Sequence, residues 1–182
     1  MYRYADIEAA VAGSQRIPDE GLGAFRARLR HLRNQGVPDV PRPGKGRAVH
    51  YTLHHAAQLA FALELEAISV PPHQVAELVR HAWANTDVPR FIKELPPVSG
   101  RGDPGPPRFL VMELNFISEI HSDGAHSEAH HAAFDVLGLH QMMAYMRQIG
   151  GDRRAAAVIN LTAAGHSLRM GLPWPLPLRT AR

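Results

Sequence analysis

The sequence predicts an α+β protein, helical in its first half and mixed in its second. Three observations lead there. Apolar residues in the first 94 positions recur at spacings of three and four, the period of helices that bury one face. Eight prolines and glycines then crowd the fourteen positions from Leu95 to Arg108, a composition that favours an extended linker. Beyond it, short apolar runs alternate with helical patterns in the order β-β-α-β-α. The expected units are therefore residues 1–94, a linker at 95–108 and a small α/β unit at 109–182.

Each element has its own local cause. Tyr4 to Ala12 reads as a short helix with Ile7 and Val11 on one face and Gly13 as its stop. After a turn, Pro18, Asp19 and Glu20 open a second helix, with a proline early and acids at the positive end of the dipole. Leu22, Phe25, Leu29 and Leu32 form its apolar stripe, and Gly36 is its left-handed cap. Pro38, Pro41, Pro43, Gly44 and Gly46 forbid helix and suit two short extended pieces around a loop. Thr52 caps the next helix, which runs to about Ala67 with Ala56, Leu59, Ala60 and Leu63 inward. Pro71 and Pro72 start another, with Val75, Leu78, Val79 and Trp83. A short amphipathic piece carries Val88, Phe91 and Ile92.

In the second half, Phe109–Leu114, Phe134–Leu139 and Ala155–Leu161 are strand candidates. His140 to Ile149 reads as a helix whose Met142, Met143 and Met146 fill a core. Gly150-Gly151-Asp152 is a turn, and a short helix starts near Thr162. Unpaired strand edges suggest self-association through residues 105 to 170.

Composition excludes several classes. The 182 residues contain no cysteine, which removes disulfides, thiolate metal sites and cysteine nucleophiles. No apolar run is long enough for a membrane span, and the N-terminus lacks the apolar core of a secretory signal, so a cytoplasmic location is expected. No glycine-rich phosphate loop, nucleophile elbow or His-Glu-x-x-His pattern appears, so no enzyme is expected. His121 to His131 is rich in histidine. His126 and His130 stand four apart, a spacing at which two helical histidines share a metal. The stretch is polar and lies between two strand candidates, so an exposed loop is the expectation. No metal and no cofactor is expected.

The charge is modest overall, at +3, but unevenly placed. Between Leu22 and Tyr51 stand Arg26, Arg28, Arg30, Arg33, Arg42, Lys45 and Arg47 against one acid, Asp39. This local excess of six positive charges is the footprint of a nucleic-acid partner. On a helix, Arg26, Arg30 and Arg33 share a face, with Arg28 about 200° from Arg26.

Gly36-Val37-Pro38 as a turn, Arg42-Pro43-Gly44-Lys45-Gly46-Arg47 as a basic hairpin and Tyr51-Thr52 as the next helix start follow one another. Ile68-Ser69-Val70-Pro71 then leads into a further helix, with Ser69 where glycine is usual. This order resembles the winged helix-turn-helix of MerR-like DNA-binding proteins, over the N-terminal half only. The resemblance implies a recognition helix in the major groove and a basic wing on the backbone. The proline-rich linker and α/β unit replace that family's long dimer helix, so its effector sensing and dimer geometry are not carried over.

The expected function is sequence-specific binding of double-stranded DNA by a homodimeric transcriptional regulator. Arg26, Arg28, Arg30, Arg33, Arg42, Lys45 and Arg47 are the expected contacts, and RNA polymerase or another DNA-bound protein is a further partner. An excisionase-like or architectural accessory factor and an interaction module without DNA are the alternatives.

Overall fold

A computed structural model describes residues 1–40, 49–94, 106–113, 134–151 and 156–173. Within them, α1 (Tyr4–Ser14) is followed by a 3-10 turn (Asp19–Gly21) and α2 (Leu22–Asn34). The helices α3 (Leu53–Ala67), α4 (Pro72–Asn85) and α5 (Val88–Glu94) come next. The second half holds β1 (Arg108–Glu113), β2 (Phe134–Gly138), α6 (Leu139–Gly151), β3 (Ala156–Asn160) and α7 (Leu161–Gly171). The α+β class holds.

The apolar spacings translate directly into burial. Phe25, Leu29 and Leu32 of α2 point inward, as do Ile7, Ala10 and Val11 of α1. The helix α3 is buried almost all round, from Ala56 to Leu63 and again at Leu65, because α1, α2, α4, α5 and α7 all pack on it. Val75, Leu78, Val79 and Ala82 dock α4, while Trp83 lies beside Phe61 with ring centroids 5.8 Å apart.

Three helix ends share one device. After α1, α2 and α3, the third residue past the helix bonds back to the third-last carbonyl: Ile17 to Ala12, Val37 to Leu32 and Val70 to Leu65, each at 3.0 Å. This double-bonded cap needs a left-handed residue in between and folds an apolar side chain back onto the core. Gly36 supplies it after α2 with φ of 86°, as its sequence position implies. After α1 the left-handed residue is Arg16, at φ of 53°, and Gly13 stays within the helix. After α3 it is Ser69, at φ of 66°. A side chain in this region costs about 1–2 kcal/mol. Ser69→Gly is therefore expected to raise the unfolding free energy by about 1 kcal/mol, read as a higher urea midpoint at unchanged slope.

The sheet is antiparallel throughout, with order β2-β1-β3. Leu110 of β1 faces Val136 and Ile159, and Met112 faces Phe134 and Ala157. Because β2 and β3 are each antiparallel to β1, the crossover through α6 links two like-directed strands across a central one. The expected α/β half is thus a small antiparallel unit. Leu110, Met112 and Ala157 join the same hydrophobic cluster as the N-terminal helices, and so do Leu161, Leu168 and Leu172. The helix α7, capped by the Asn160 side chain on the Ala163 N–H at 3.0 Å, packs along α1 and α3. Its buried Thr162 hydroxyl accepts from the Arg108 N–H at 2.8 Å, tying helix to strand.

The methionines of α6 depart from expectation. Met143 is 46% exposed and Met146 36%, with Met142 half-buried. Met143 and Met146 are not core fillers; α6 packs against β1 and β2, and these two side chains stand at its outer surface.

Candidate nucleic-acid interface

The candidate interface is the outer surface of α2 and the chain that leaves it. Burial of Phe25, Leu29 and Leu32 fixes the rotation of α2 about its own axis. Gly23, Ala24, Ala27, Arg30, His31 and Asn34 then face outward, and all six are exposed. The helix carries no acid. Its outer face is small toward the N-terminal end and polar toward the C-terminal end, a form that lets a helix approach a groove closely.

The arginines divide by what lies beside them. Arg26 pairs with Glu8 of α1, Nε to Oε1 at 2.7 Å. Arg28 points the other way and pairs with Glu66 of α3 at 3.0 Å. The Arg33 guanidinium stacks on the ring of Tyr4, 4.9 Å from its centroid. Arg30 has no ion-pair partner among the described residues. The side chains of Arg26 and Arg28 remain 57% and 59% exposed. The Arg26–Glu8 pair contributes only about 0–1 kcal/mol, so exchange of its carboxylate for a phosphate costs little, whereas the Glu66 side chain is 7% exposed and holds Arg28 as the counter-charge of a desolvated carboxylate. Burial pushes the Glu66 carboxyl up, while Arg28 and then His31 pull it back. Burial likewise raises the Tyr4 phenol, against the pull of Arg33.

The chain after α2 is held at two points. Buried Gln58 accepts the Asp39 N–H at 3.0 Å, and Tyr51 exchanges both backbone hydrogen bonds with Tyr2, at 2.9 and 3.0 Å. Tyr4 packs on Tyr51 with centroids 5.5 Å apart. Between these anchors and the end of α2 opens a groove of about 870 Å³. Arg3, Tyr4, Arg33, Asn34, Asp39 and Tyr51 are among the residues that line it.

A scan of protein-family models and a search of curated proteins find no match to this chain.

The expected wing contacts Arg42, Lys45 and Arg47 lie outside the described residues, as does the histidine-rich stretch from His121 to His131. Among the described residues, no group of three or more His, Asp or Glu side chains is placed to hold a metal, and no helix is long and apolar enough to cross a membrane. His54 and His55, near the groove in sequence, add little charge. The His55 Nδ1 accepts the Thr52 N–H at 3.1 Å, which requires an unprotonated nitrogen. Burial lowers the pKa of both rings, helped by Lys93 at His54 and by His54 at His55. Sequence reasoning passed over Arg3 and Tyr4 because they stand at a helix start rather than in the basic run. Asn34 lies opposite the stripe of Phe25, Leu29 and Leu32, so helical spacing is the signal that places it on the outer face.

Proposed function

We propose that this chain binds double-stranded DNA in a sequence-specific way, as a homodimeric transcriptional regulator. The observation that carries the reading is Arg30: a cation without an ion-pair partner among the described residues, on the outward face of an acid-free helix. A helix fits the major groove, and an arginine there donates two hydrogen bonds to guanine. Asn34, one turn on, has the amide geometry that pairs with adenine. Ala24 and Ala27 allow close approach and suit thymine methyl groups.

The order of elements supports a winged-helix arrangement. Helix α1, a turn, the outward α2, a basic excursion, a return paired to the N-terminal residues and then α3 follow one another. The basic segment with Arg42, Lys45 and Arg47 would lie on the phosphate backbone. A homodimer would set two such helices on two half-sites about one helical turn apart.

Fluorescence anisotropy of the full chain against genomic fragments over a salt series, followed by selection of the bound pool, tests this reading. The expected result is tight binding, a steep salt slope and an enriched motif. Arg30→Glu is expected to weaken binding to the selected site about 100-fold or more, since one bidentate base contact is lost and a repulsion gained. Tight binding with no motif would mean an architectural factor. No binding at low salt would make the chain an interaction module.

A further inference from the structure

We infer that the open groove beside the C-terminal end of α2 seats a stretch of DNA sugar-phosphate backbone, with Arg3 and Arg33 as its cationic contacts. This rests on the DNA reading above and assigns that partner a second surface beyond the outer face of α2.

The geometry carries it. Asn34 belongs both to the outer face of α2 and to the lining of the groove. A duplex laid on that face therefore runs past Asn34 into the groove. Arg3 is exposed and has no ion-pair partner among the described residues. The Arg33 guanidinium carbon lies over the Tyr4 ring, 4.9 Å from its centroid. Stacking leaves the N–H edge of a guanidinium free, and that edge is the part that grips phosphate. Tyr4 thus holds Arg33 in place, through its ring and a hydrogen bond to its phenol, and the remaining N–H donors of the guanidinium are left for phosphate.

The walls are built before any partner arrives. Tyr51 is 7% exposed, is double-bonded to Tyr2 and packs on Tyr4. Asp39 is anchored through its N–H to Gln58. A helix C-terminus disfavours anions. Here the Leu32 and Arg33 carbonyls are taken by Val37 and Gly36, both at 3.0 Å, and Arg33 sits in the last turn. Among the described residues, Asp39 is the acid of the lining, against two arginines. The groove therefore keeps a net positive charge.

The test uses the full chain, the DNA site recovered by selection and an unrelated duplex. Binding is followed by anisotropy from 50 to 200 mM salt. Arg3→Ala removes an exposed side chain, and a melting curve checks that the variant is folded. The expected result is a salt slope smaller by about 0.9, the value of one phosphate contact. It should weaken binding to the selected and unrelated duplexes by the same factor. Asp39→Asn, which adds no bulk, should tighten binding to both about two- to threefold, the scale of one screened charge. An unchanged slope in Arg3→Ala overturns the inference, as does a loss confined to particular base pairs or an Asp39→Asn variant that binds no tighter. These results leave the DNA reading standing when the unmodified protein binds and Arg30→Glu does not. Failure of the unmodified protein to bind at low salt overturns both.

Discussion

Leu29→Ala is expected to lower the unfolding free energy by about 3–5 kcal/mol, measured by urea denaturation. Leu29 is fully buried, in the middle of the stripe that docks α2. Removing its three outer carbons forfeits their transfer energy and leaves a cavity that the neighbouring Phe25 and Leu32, on the same rigid helix, do not close. A domain of this kind has about 5–15 kcal/mol in total, so the loss takes a large share. Leu22→Ala, at the partly buried rim of the same stripe, is the comparison and should cost distinctly less. The pair also bears on function. The rotation of α2 that turns Arg30 and Asn34 outward is set by Phe25, Leu29 and Leu32 facing in. A loss below 1 kcal/mol at Leu29 would mean that α2 is docked differently and that its outer face is another one.

Gly171→Val is expected to cost about 2–3 kcal/mol, by forcing apart the contact between α7 and α1. A Cβ added at Gly171 would lie 2.8 Å from the Ala10 Cα and 3.2 Å from its Cβ. The nearest atom belongs to helical backbone, which does not swing aside as a side-chain tip does. The helix α7 must then retreat, and with it goes packing in the shared cluster of Ile7, Leu161 and Leu168. Gly13→Ala is the counterpart. Nothing lies within 4 Å of a Cβ there, and the residue is helical, so this change should stabilise by about 0.5–1 kcal/mol. Thermal melts of both variants separate the cost of space from the gain in helix propensity. Gly171→Val melting at the temperature of the unmodified protein would mean that the seam between α1 and α7 carries no stability.

Where local chemistry decides, the sequence was enough. The spacing of Phe25, Leu29 and Leu32 marks the buried side of α2, because a helix turns about 100° per residue whatever surrounds it. Gly36 marks the left-handed cap. Short apolar runs mark the three strands to within one residue at each end. Thr52, Pro71 and Pro72 mark helix starts for reasons held within a single turn.

Other features belong to the tertiary structure alone. Helical geometry places Arg26, Arg30 and Arg33 on one side but is silent about what lies opposite. Packing of α1 put Glu8 beside Arg26 and Tyr4 beneath Arg33, and packing of α3 put Glu66 beside Arg28, which left Arg30 without a carboxylate. Arg16 and Ser69 adopt left-handed backbone because Ile17 and Val70 must fold back onto the core, a demand that overrides their own preference. The α6 methionines read as core from composition, yet two of them stand substantially exposed at the outer surface of that helix. Periodicity reports which side of an element is apolar. Which partner meets that side is set by contacts between residues far apart in sequence, and that choice brought Arg3, Arg33 and Asn34 to one groove.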